Sequence, residues 1–377
     1  YAIMPSIVGS EMCIRDSRIG GKKIFLIGML GAIGANLLFS MGSNLIYFII
    51  IWCICRYFLS MGWGGLTKMI GSWYPPEKNG TVMGFISLNF QFGGVISTLF
   101  AAFLVSVGAG WREIFIYPPL LLGLIFIWSY FCSKDSPQDI YPDTNFAKSN
   151  TGKKSIVSQK LKENNHQGKP LDIIKDLLRL SLFRQLLLYS FLTTFLRSIF
   201  FFWTPKLLVD IGMGTTHAIL KSALFPLLGC IGTIFLGWYT DKYAKNGDRA
   251  KMMWIMLSGL VASLAVISVI MNSGDFDKDL IVILLGLCGF FLLGPYSMSS
   301  GCLTLDIAGS EAAGSSTGII DGLGYLGGAL AVWSAGILSD QLGWPQVFSF
   351  LTLCAFLATF SAFMMSQEFQ KRGKKDI

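Results

Sequence analysis

The chain has 377 residues, of which 53% are hydrophobic and only 14% are charged. A water-soluble domain of this size normally carries about a quarter charged residues, so the composition argues against a soluble fold. A net charge of +8 is also found in nucleic-acid-binding proteins, but here the basic residues collect in short connectors between long apolar runs. The composition therefore predicts an all-α polytopic membrane protein whose surroundings are the lipid bilayer, with no nucleic-acid partner.

Ten apolar runs approach or exceed the roughly 20 residues that a helix needs to cross a bilayer. In chain order, the predicted spans are 24–42, 45–69, 81–106, 114–132, 185–208, 216–239, 252–272, 279–304, 313–339 and 345–366. Lysine and arginine are frequent before the first span, in the 240–251 connector, in residues 134–184 and in the tail, whereas the alternate connectors have almost none. Basic connectors stay on the cytoplasmic side, so both termini and the central linker are predicted to be cytoplasmic.

A repeat relates the two parts of the chain. The run GTVMGFISLNFQFGG at 80–94 aligns without gaps with GSSTGIIDGLGYLGG at 314–328, in the third span of the first part and the fifth of the second. This predicts two pseudo-symmetric six-helix halves, 18–133 and 185–366, with the first two helices missing from this chain. The linker 134–184 would be flexible and end in an amphipathic helix, and 367–377 would be a cytoplasmic tail.

The first 17 residues, YAIMPSIVGSEMCIRDS, show no span-like pattern. The string VGSEMCIRDS resembles a translated artefact that recurs at the ends of environmental sequence assemblies. Residues 1–17 are therefore predicted to be non-native or disordered, with an ordinary cytoplasmic tail as the alternative.

The polar residues in the spans do not form a pattern typical of enzymes. The eight cysteines are scattered, only two histidines occur, and the spans lack paired carboxylates or a nucleophile beside a base. We expect no enzyme activity, no cofactor and no metal site.

Several motifs carry a family resemblance. They are RIGGKK at 18–23, FLSMGWGG at 58–65, LRSIFFFWTP at 196–205, GWYTDKYAKNGDRAK at 237–251, GFFLLGPYSM at 289–298 and AAGSSTGIIDGLGYLGG at 312–328. Because these motifs occur in this order, the chain resembles the organophosphate:phosphate antiporter family of the major facilitator superfamily over about residues 18–366. The resemblance implies a monomeric transporter in the bacterial inner membrane, in which a sugar phosphate or glycerol phosphate binds between the two halves and exchanges for inorganic phosphate.

Arg197 is the strongest candidate site residue, because it interrupts the apolar stretch FLTTFLRSIFFFWTPKLL. A charge in mid-membrane costs roughly 2.5–3.5 kcal/mol on insertion scales and is tolerated when it faces the protein interior or water. The resemblance implies a phosphate-binding arginine here. An internal salt bridge with a helix carboxylate is the alternative.

Asp321 departs from the family pattern, and Tyr325 lies one turn further on the same helix face. The repeat places Ser87 and Gln91 at the equivalent positions of the other half, so the four side chains are predicted to line one cavity. Asp321 could accept a transported proton, pair with Arg197 or cap backbone groups.

Phe90 occupies a position where many family members carry a histidine. Its neighbours Asn89 and Gln91 are candidate hydrogen-bond donors to substrate, with helix packing as the alternative. Trp63 and Trp203 would either line the cavity or fill space. Two further functions stay open: a proton-coupled organic-anion transporter, and a membrane sensor that binds a sugar phosphate without transporting it.

Overall fold

The computed structural model describes residues 20–75, 78–140, 177–244, 248–274 and 276–373. Within these ranges all regular structure is helical and no strand occurs, in agreement with the predicted all-α class. The helices, labelled α1 to α12 in chain order, are Gly21–Ser40, Leu45–Trp73, Asn79–Ser106, Trp111–Ile114, Tyr117–Cys132, Ser181–Asp210, Thr215–Ser222, Leu224–Tyr243, Ala250–Ser273, Lys278–Ser299, Cys302–Gln341 and Trp344–Gly373.

Nine helical segments in the described part of the chain are long and apolar enough to cross a membrane. They coincide with nine of the ten predicted spans. The remaining predicted span, 81–106, falls on α3, a helix of 28 residues that is not among these nine. The total of ten spans therefore stays a prediction.

Several helices begin or end at residues whose chemistry explains the boundary. The Asn44 side chain accepts a hydrogen bond from the Ile46 backbone N–H at 3.0 Å, which satisfies a free donor at the start of α2. Asp277 does the same for α10 by accepting from the Asp279 N–H at 2.9 Å. Gly274 follows α9 with a φ of 76°, a left-handed conformation that glycine adopts without strain.

Helix α11 differs from the expectation. The sequence predicted a connector between the spans ending at 304 and beginning at 313, whereas the structure has one helix from Cys302 to Gln341. This stretch contains no proline, the residue that most strongly interrupts a helix, so nothing in it forces a break.

By its contacts the chain divides into two units. Unit 1 consists of Tyr1–Pro76, Phe92–Leu177 and Thr304–Gly322, and unit 2 of Glu77–Gln91, Leu178–Leu303 and Leu323–Ile377. The predicted halves, 18–133 and 185–366, rest on the sequence repeat instead and stay a prediction.

In unit 1, α1 and α2 approach closely through glycines. A Cβ atom added to Gly21 would lie 2.7 Å from the carbonyl oxygen of Gly65, and one added to Gly65 would lie 2.7 Å from that of Gly21. The first turn of α1 is capped by Asp135, which follows α5 and accepts a hydrogen bond from the Lys22 N–H at 2.6 Å. These contacts join α1, α2 and α5.

In unit 2, hydroxyl groups join α12 to its neighbours. Ser268 on α9 and Ser349 on α12 are hydrogen-bonded at 2.8 Å, and Ser361 donates to the Gln185 carbonyl on α6 at 2.9 Å. Asp248, just before α9, accepts a hydrogen bond from Ser366 at 2.7 Å. These particular polar groups inside the apolar bundle thus have hydrogen-bond partners, as burial favours.

Some predictions fall on residues outside the described ranges. These are the whole of 1–17, residues 141–176 of the linker 134–184, and residues 374–377 of the tail. The predicted amphipathic helix at the end of the linker is described only from Leu177 onwards, where Leu177 and Leu180 are buried.

Candidate functional site

Arg197 lies near the middle of α6, and only 8% of the residue is exposed. This burial is what the sequence predicted for a charge in the centre of a spanning helix. The guanidinium carbon lies over two aromatic rings, 4.8 Å from the centre of Phe201 and 4.7 Å from that of Tyr296. Both distances lie within cation–π range. Neither ring has a formal charge, so these two contacts hold the guanidinium without cancelling its positive charge.

The local sequence explains how this group forms. Phe201 is four residues after Arg197 and therefore lies on the same face of α6. Tyr296 comes from α10 and directly follows Pro295, which lies inside that helix. Pro295 and Pro205, inside α6, cannot donate backbone hydrogen bonds to the carbonyls four residues earlier, so both helices are locally less constrained near the arginine.

Helix α11 packs closely against α6 beside Arg197. A Cβ atom added to Gly324 would lie 2.9 Å from Thr194 Oγ1, and one added to Gly328 would lie 2.8 Å from Ser198 Oγ. Small residues let two helix backbones approach closely in a membrane. Tyr325 lies within this glycine-rich stretch and is exposed. Unit 2 therefore places the helix that carries Tyr325 directly against the helix that carries Arg197.

Trp203 belongs to a cluster at the end of α6. Its ring centre lies 6.5 Å from that of Trp344, and a Cβ atom added to Gly336 would meet its ring at 3.2 Å. The Lys206 ammonium lies 5.9 Å from the Trp203 ring centre and 2.8 Å from Asp210 Oδ2. These neighbours favour the packing alternative for Trp203.

The three predicted residues on α3 differ in their surroundings. Ser87 is half-buried and donates a hydrogen bond to the Met83 carbonyl at 2.8 Å, within its own helix. Asn89 is exposed. The side chain of Gln91 lies outside the described part of the structure. Their participation in a substrate site stays a prediction.

Asp321 and Trp63 are both half-buried and belong to unit 1, whereas Arg197 and Tyr325 belong to unit 2. Trp63 lies in α2, and its carbonyl accepts a hydrogen bond from Thr67 at 2.8 Å. Whether Asp321 takes up a proton, pairs with Arg197 or caps backbone groups stays open. The proposed grouping of Asp321 with Tyr325, Ser87 and Gln91 likewise stays a prediction.

A second polar cluster involves residues that sequence reasoning did not assign to the site. The Asp241 carboxylate, near the end of α8, accepts hydrogen bonds from the backbone N–H groups of Gly80 at 2.9 Å and Thr81 at 2.5 Å. Arg249 Nη1 lies 2.5 Å from Asp241 Oδ1 and 3.1 Å from Thr240 Oγ1, and both charged side chains are almost fully buried. The carboxylate thus caps the start of α3 and also neutralises Arg249.

The capping contact depends on glycine at two positions. A Cβ atom added to Gly80 would lie 2.9 Å from the Gly237 carbonyl oxygen, and one added to Gly237 would lie 2.6 Å from the Gly80 carbonyl oxygen. The residues of this contact on α8 and before α9 lie in the motif GWYTDKYAKNGDRAK, one of those that carry the family resemblance. The motif places an aspartate four residues after a glycine, but it does not indicate which helix will receive the carboxylate.

The chemistry of the Arg197 surroundings suits non-covalent binding of an anion. A buried cation, aromatic rings and hydroxyl groups are present, and the described ranges contain no cluster of three or more histidine, cysteine, aspartate or glutamate residues that could hold a metal ion. Together with the spanning helices, these features are those of a multi-pass membrane protein with an arginine buried in one of its spanning helices.

Comparison with protein families identifies the group. The model described as "Major Facilitator Superfamily" matches residues 15–332, and the chain belongs to this superfamily. The predictions of the superfamily, of an all-helical polytopic fold and of a transport protein are confirmed.

Individual relatives agree with this assignment. The chain is 25% identical over 357 residues to a protein of Chlamydia pneumoniae named "Probable hexose phosphate transport protein", covering 88% of this chain and 73% of the relative. It is 24% identical over 341 residues to the mouse (Mus musculus) "Glucose-6-phosphate exchanger SLC37A2", covering 83% of this chain and 66% of the relative. The fold is similar to that of the human organic anion transporter MFSD10, with a TM-score of 0.70 at 14% identity, over 96% of this chain and 81% of the other.

Proposed function

We propose that the protein is a secondary active transporter that moves a phosphorylated organic anion by alternating access, in exchange for inorganic phosphate. The substrate class is a sugar phosphate or a glycerol phosphate. The observation that carries the proposal is the buried guanidinium of Arg197, held over two uncharged rings in the middle of a spanning helix. The names of the relatives, a hexose phosphate transport protein and a glucose-6-phosphate exchanger, support the same class.

The choice of arginine favours phosphate over other anions. Its planar guanidinium presents N–H donors in a fork that matches two oxygens of a phosphate or carboxylate. The cation–π contacts with Phe201 and Tyr296 restrict the side chain before the ligand arrives. A lysine would supply the charge but neither the fork nor the flat stacking surface.

We further propose that the Asp241 contact opens and closes during transport. It joins the start of α3, in the first predicted half, to the end of α8, in the second. A carboxylate that both caps a helix and pairs with Arg249 provides a specific contact in one conformation. Because the partners are backbone N–H groups and one side chain, the contact can break without unfolding either helix.

The remaining parts of the proposal rest on the family resemblance and on the charge of the connectors. We place the protein in the bacterial inner membrane with both termini cytoplasmic, and we expect it to act as a monomer. Phosphate as the counter-substrate is likewise part of the proposal.

Uptake of radiolabelled hexose 6-phosphate into phosphate-loaded proteoliposomes tests the site. Arg197→Lys should lower uptake at limiting substrate by roughly tenfold or more, because hydrogen bonds to charged groups contribute about 1.5–3 kcal/mol each. The matched control is Arg184→Lys, since Arg184 lies on the same helix but is exposed. Equal uptake by wild type and the Arg197→Lys and Arg197→Ala variants would remove the proposed site.

The same vesicles separate the alternatives. Uptake driven by an inward proton gradient without internal phosphate, and abolished by Asp321→Asn, would indicate a proton-coupled organic-anion transporter instead. Saturable binding of hexose 6-phosphate with no uptake under either condition would indicate a sensor.

A further inference from the structure

One face of α8 ends in a group of aromatic and basic side chains at the boundary of the membrane span. The Lys242 ammonium lies 5.1 Å from the ring centre of Trp238 and 5.2 Å from that of Tyr243. The two rings contact each other edge-on at 6.2 Å. Trp238 is 47% exposed, Tyr243 is 51% exposed and Lys242 is exposed. We call these three residues the α8 terminal cluster.

An apolar stripe leads to this cluster. Leu227, Ile231 and Ile234 are exposed and, with Trp238, recur every three or four residues, so they lie on one face of the helix. The other faces of α8 are occupied: a Cβ atom added to Gly237 would clash with Gly80 on α3, and one added to Gly232 would clash with Phe290 on α10. The stripe is therefore the side of α8 that the described helices leave exposed.

The dimensions of this face match one leaflet. From Leu227 to Trp238 the helix rises about 16 Å at 1.5 Å per residue. Half of the hydrocarbon core of a bilayer is roughly 15 Å thick. An acyl chain lying along the stripe would thus place its headgroup at the α8 terminal cluster.

The charge of the cluster selects among lipids. Tryptophan and tyrosine commonly lie at the membrane–water interface, and a lysine there attracts anionic headgroups. The neighbouring Asp241 would repel an anion, but its carboxylate is bound by Arg249 and by the start of α3. Among the described residues of α8, Lys242 therefore supplies an exposed positive charge next to the stripe.

We propose that the stripe and the α8 terminal cluster form a binding site for an anionic phospholipid, with the acyl chains on Leu227, Ile231 and Ile234 and the headgroup phosphate at Lys242. The lipid holds the outer face of α8, whose opposite faces contact α3 and α10. The site is separate from Arg197, so it does not depend on the identity of the transported substrate.

Native mass spectrometry of the purified protein in mixed micelles tests this, with phosphatidylglycerol and phosphatidylcholine as competing probes. Wild type should retain phosphatidylglycerol in preference, and Lys242→Gln should reduce that preference about fivefold, since one basic residue near the surface contributes about 1 kcal/mol. Lys242→Arg should keep it. Lys251→Gln is the matched control, because Lys251 is an exposed lysine after the same connector.

No preference in wild type, an unchanged preference in Lys242→Gln, or an equal loss in Lys251→Gln would each overturn the proposal. A second measurement uses only the wild-type protein, so its result does not depend on whether a variant folds. A photoreactive phosphatidylglycerol should label residues 227–243 of wild type more strongly than its phosphatidylcholine analogue, and equal labelling would also overturn it.

Discussion

The substitution Gly232→Ala should destabilise the protein through the contact between α8 and α10. A Cβ atom at this position would lie 2.9 Å from the carbonyl carbon of Phe290 and 3.0 Å from its Cα, and still closer to the carbonyl oxygen. These are backbone atoms in the middle of a helix, so no side-chain rotation relieves the clash. The two helices must separate by about 1 Å, and such overpacking costs typically 1–3 kcal/mol.

The net effect includes a gain in helix propensity, because alanine favours a helix over glycine by about 1 kcal/mol. We therefore expect a net loss of about 1 kcal/mol, or a melting temperature lower by roughly 1–2 °C for a chain of this length. Cys288 on α10 is fully buried, whereas Cys132 is exposed, so unfolding is measured as the rise in labelling by a thiol-reactive dye above the constant signal of the folded protein. Uptake should fall as well, because α10 also carries Tyr296.

Gly34 provides the matched control. It lies inside α1, and a Cβ atom added there would meet no atom within 4 Å. Gly34→Ala should therefore leave the melting temperature unchanged or raise it slightly. If Gly232→Ala melted at the same temperature as Gly34→Ala, the close approach of α8 and α10 would be refuted.

Two further predictions concern the ion pair of Asp241 with Arg249 and the contact of Arg197 with Tyr296. Asp241→Ala should lower stability by about 3 kcal/mol because it removes the carboxylate that pairs with the buried Arg249, and the double variant with Arg249→Ala should cost less than the sum of the single changes. Thermal melting of the four proteins measures this, and strict additivity would argue against the pair. Tyr296→Leu should weaken substrate affinity in uptake assays about fivefold or more, since a cation–π contact contributes roughly 1–2 kcal/mol, whereas Tyr296→Phe should not. An equal loss in both variants would assign the effect to the hydroxyl group instead.

Much of the fold could be predicted because its signals are local. Span length, apolar composition and connector charge are properties of consecutive residues, and nine predicted spans coincide with nine apolar helices. The continuous α11 was missed because small and polar residues at 305–312 resemble a connector in composition although they contain no proline. The superfamily was likewise recognisable, because its motifs are short runs in a definite order.

The neighbours of the site residues could not be predicted in this way. The burial of Arg197 follows from its place in an apolar run, but its contact with Tyr296 joins residues that are 99 positions apart. The carboxylate of Asp241 could be noticed in its motif, while the start of α3 as its partner could not.

By itself, the sequence determined that the chain spans the membrane several times and carries a charge where lipid would not tolerate one. Only the tertiary structure decided which rings contact that charge, which helix Asp241 caps and which face of α8 is exposed. The physical reason is that composition and periodicity act along one segment. The choice of a neighbouring helix depends instead on where small residues such as Gly232, Gly237 and Gly328 let two backbones approach.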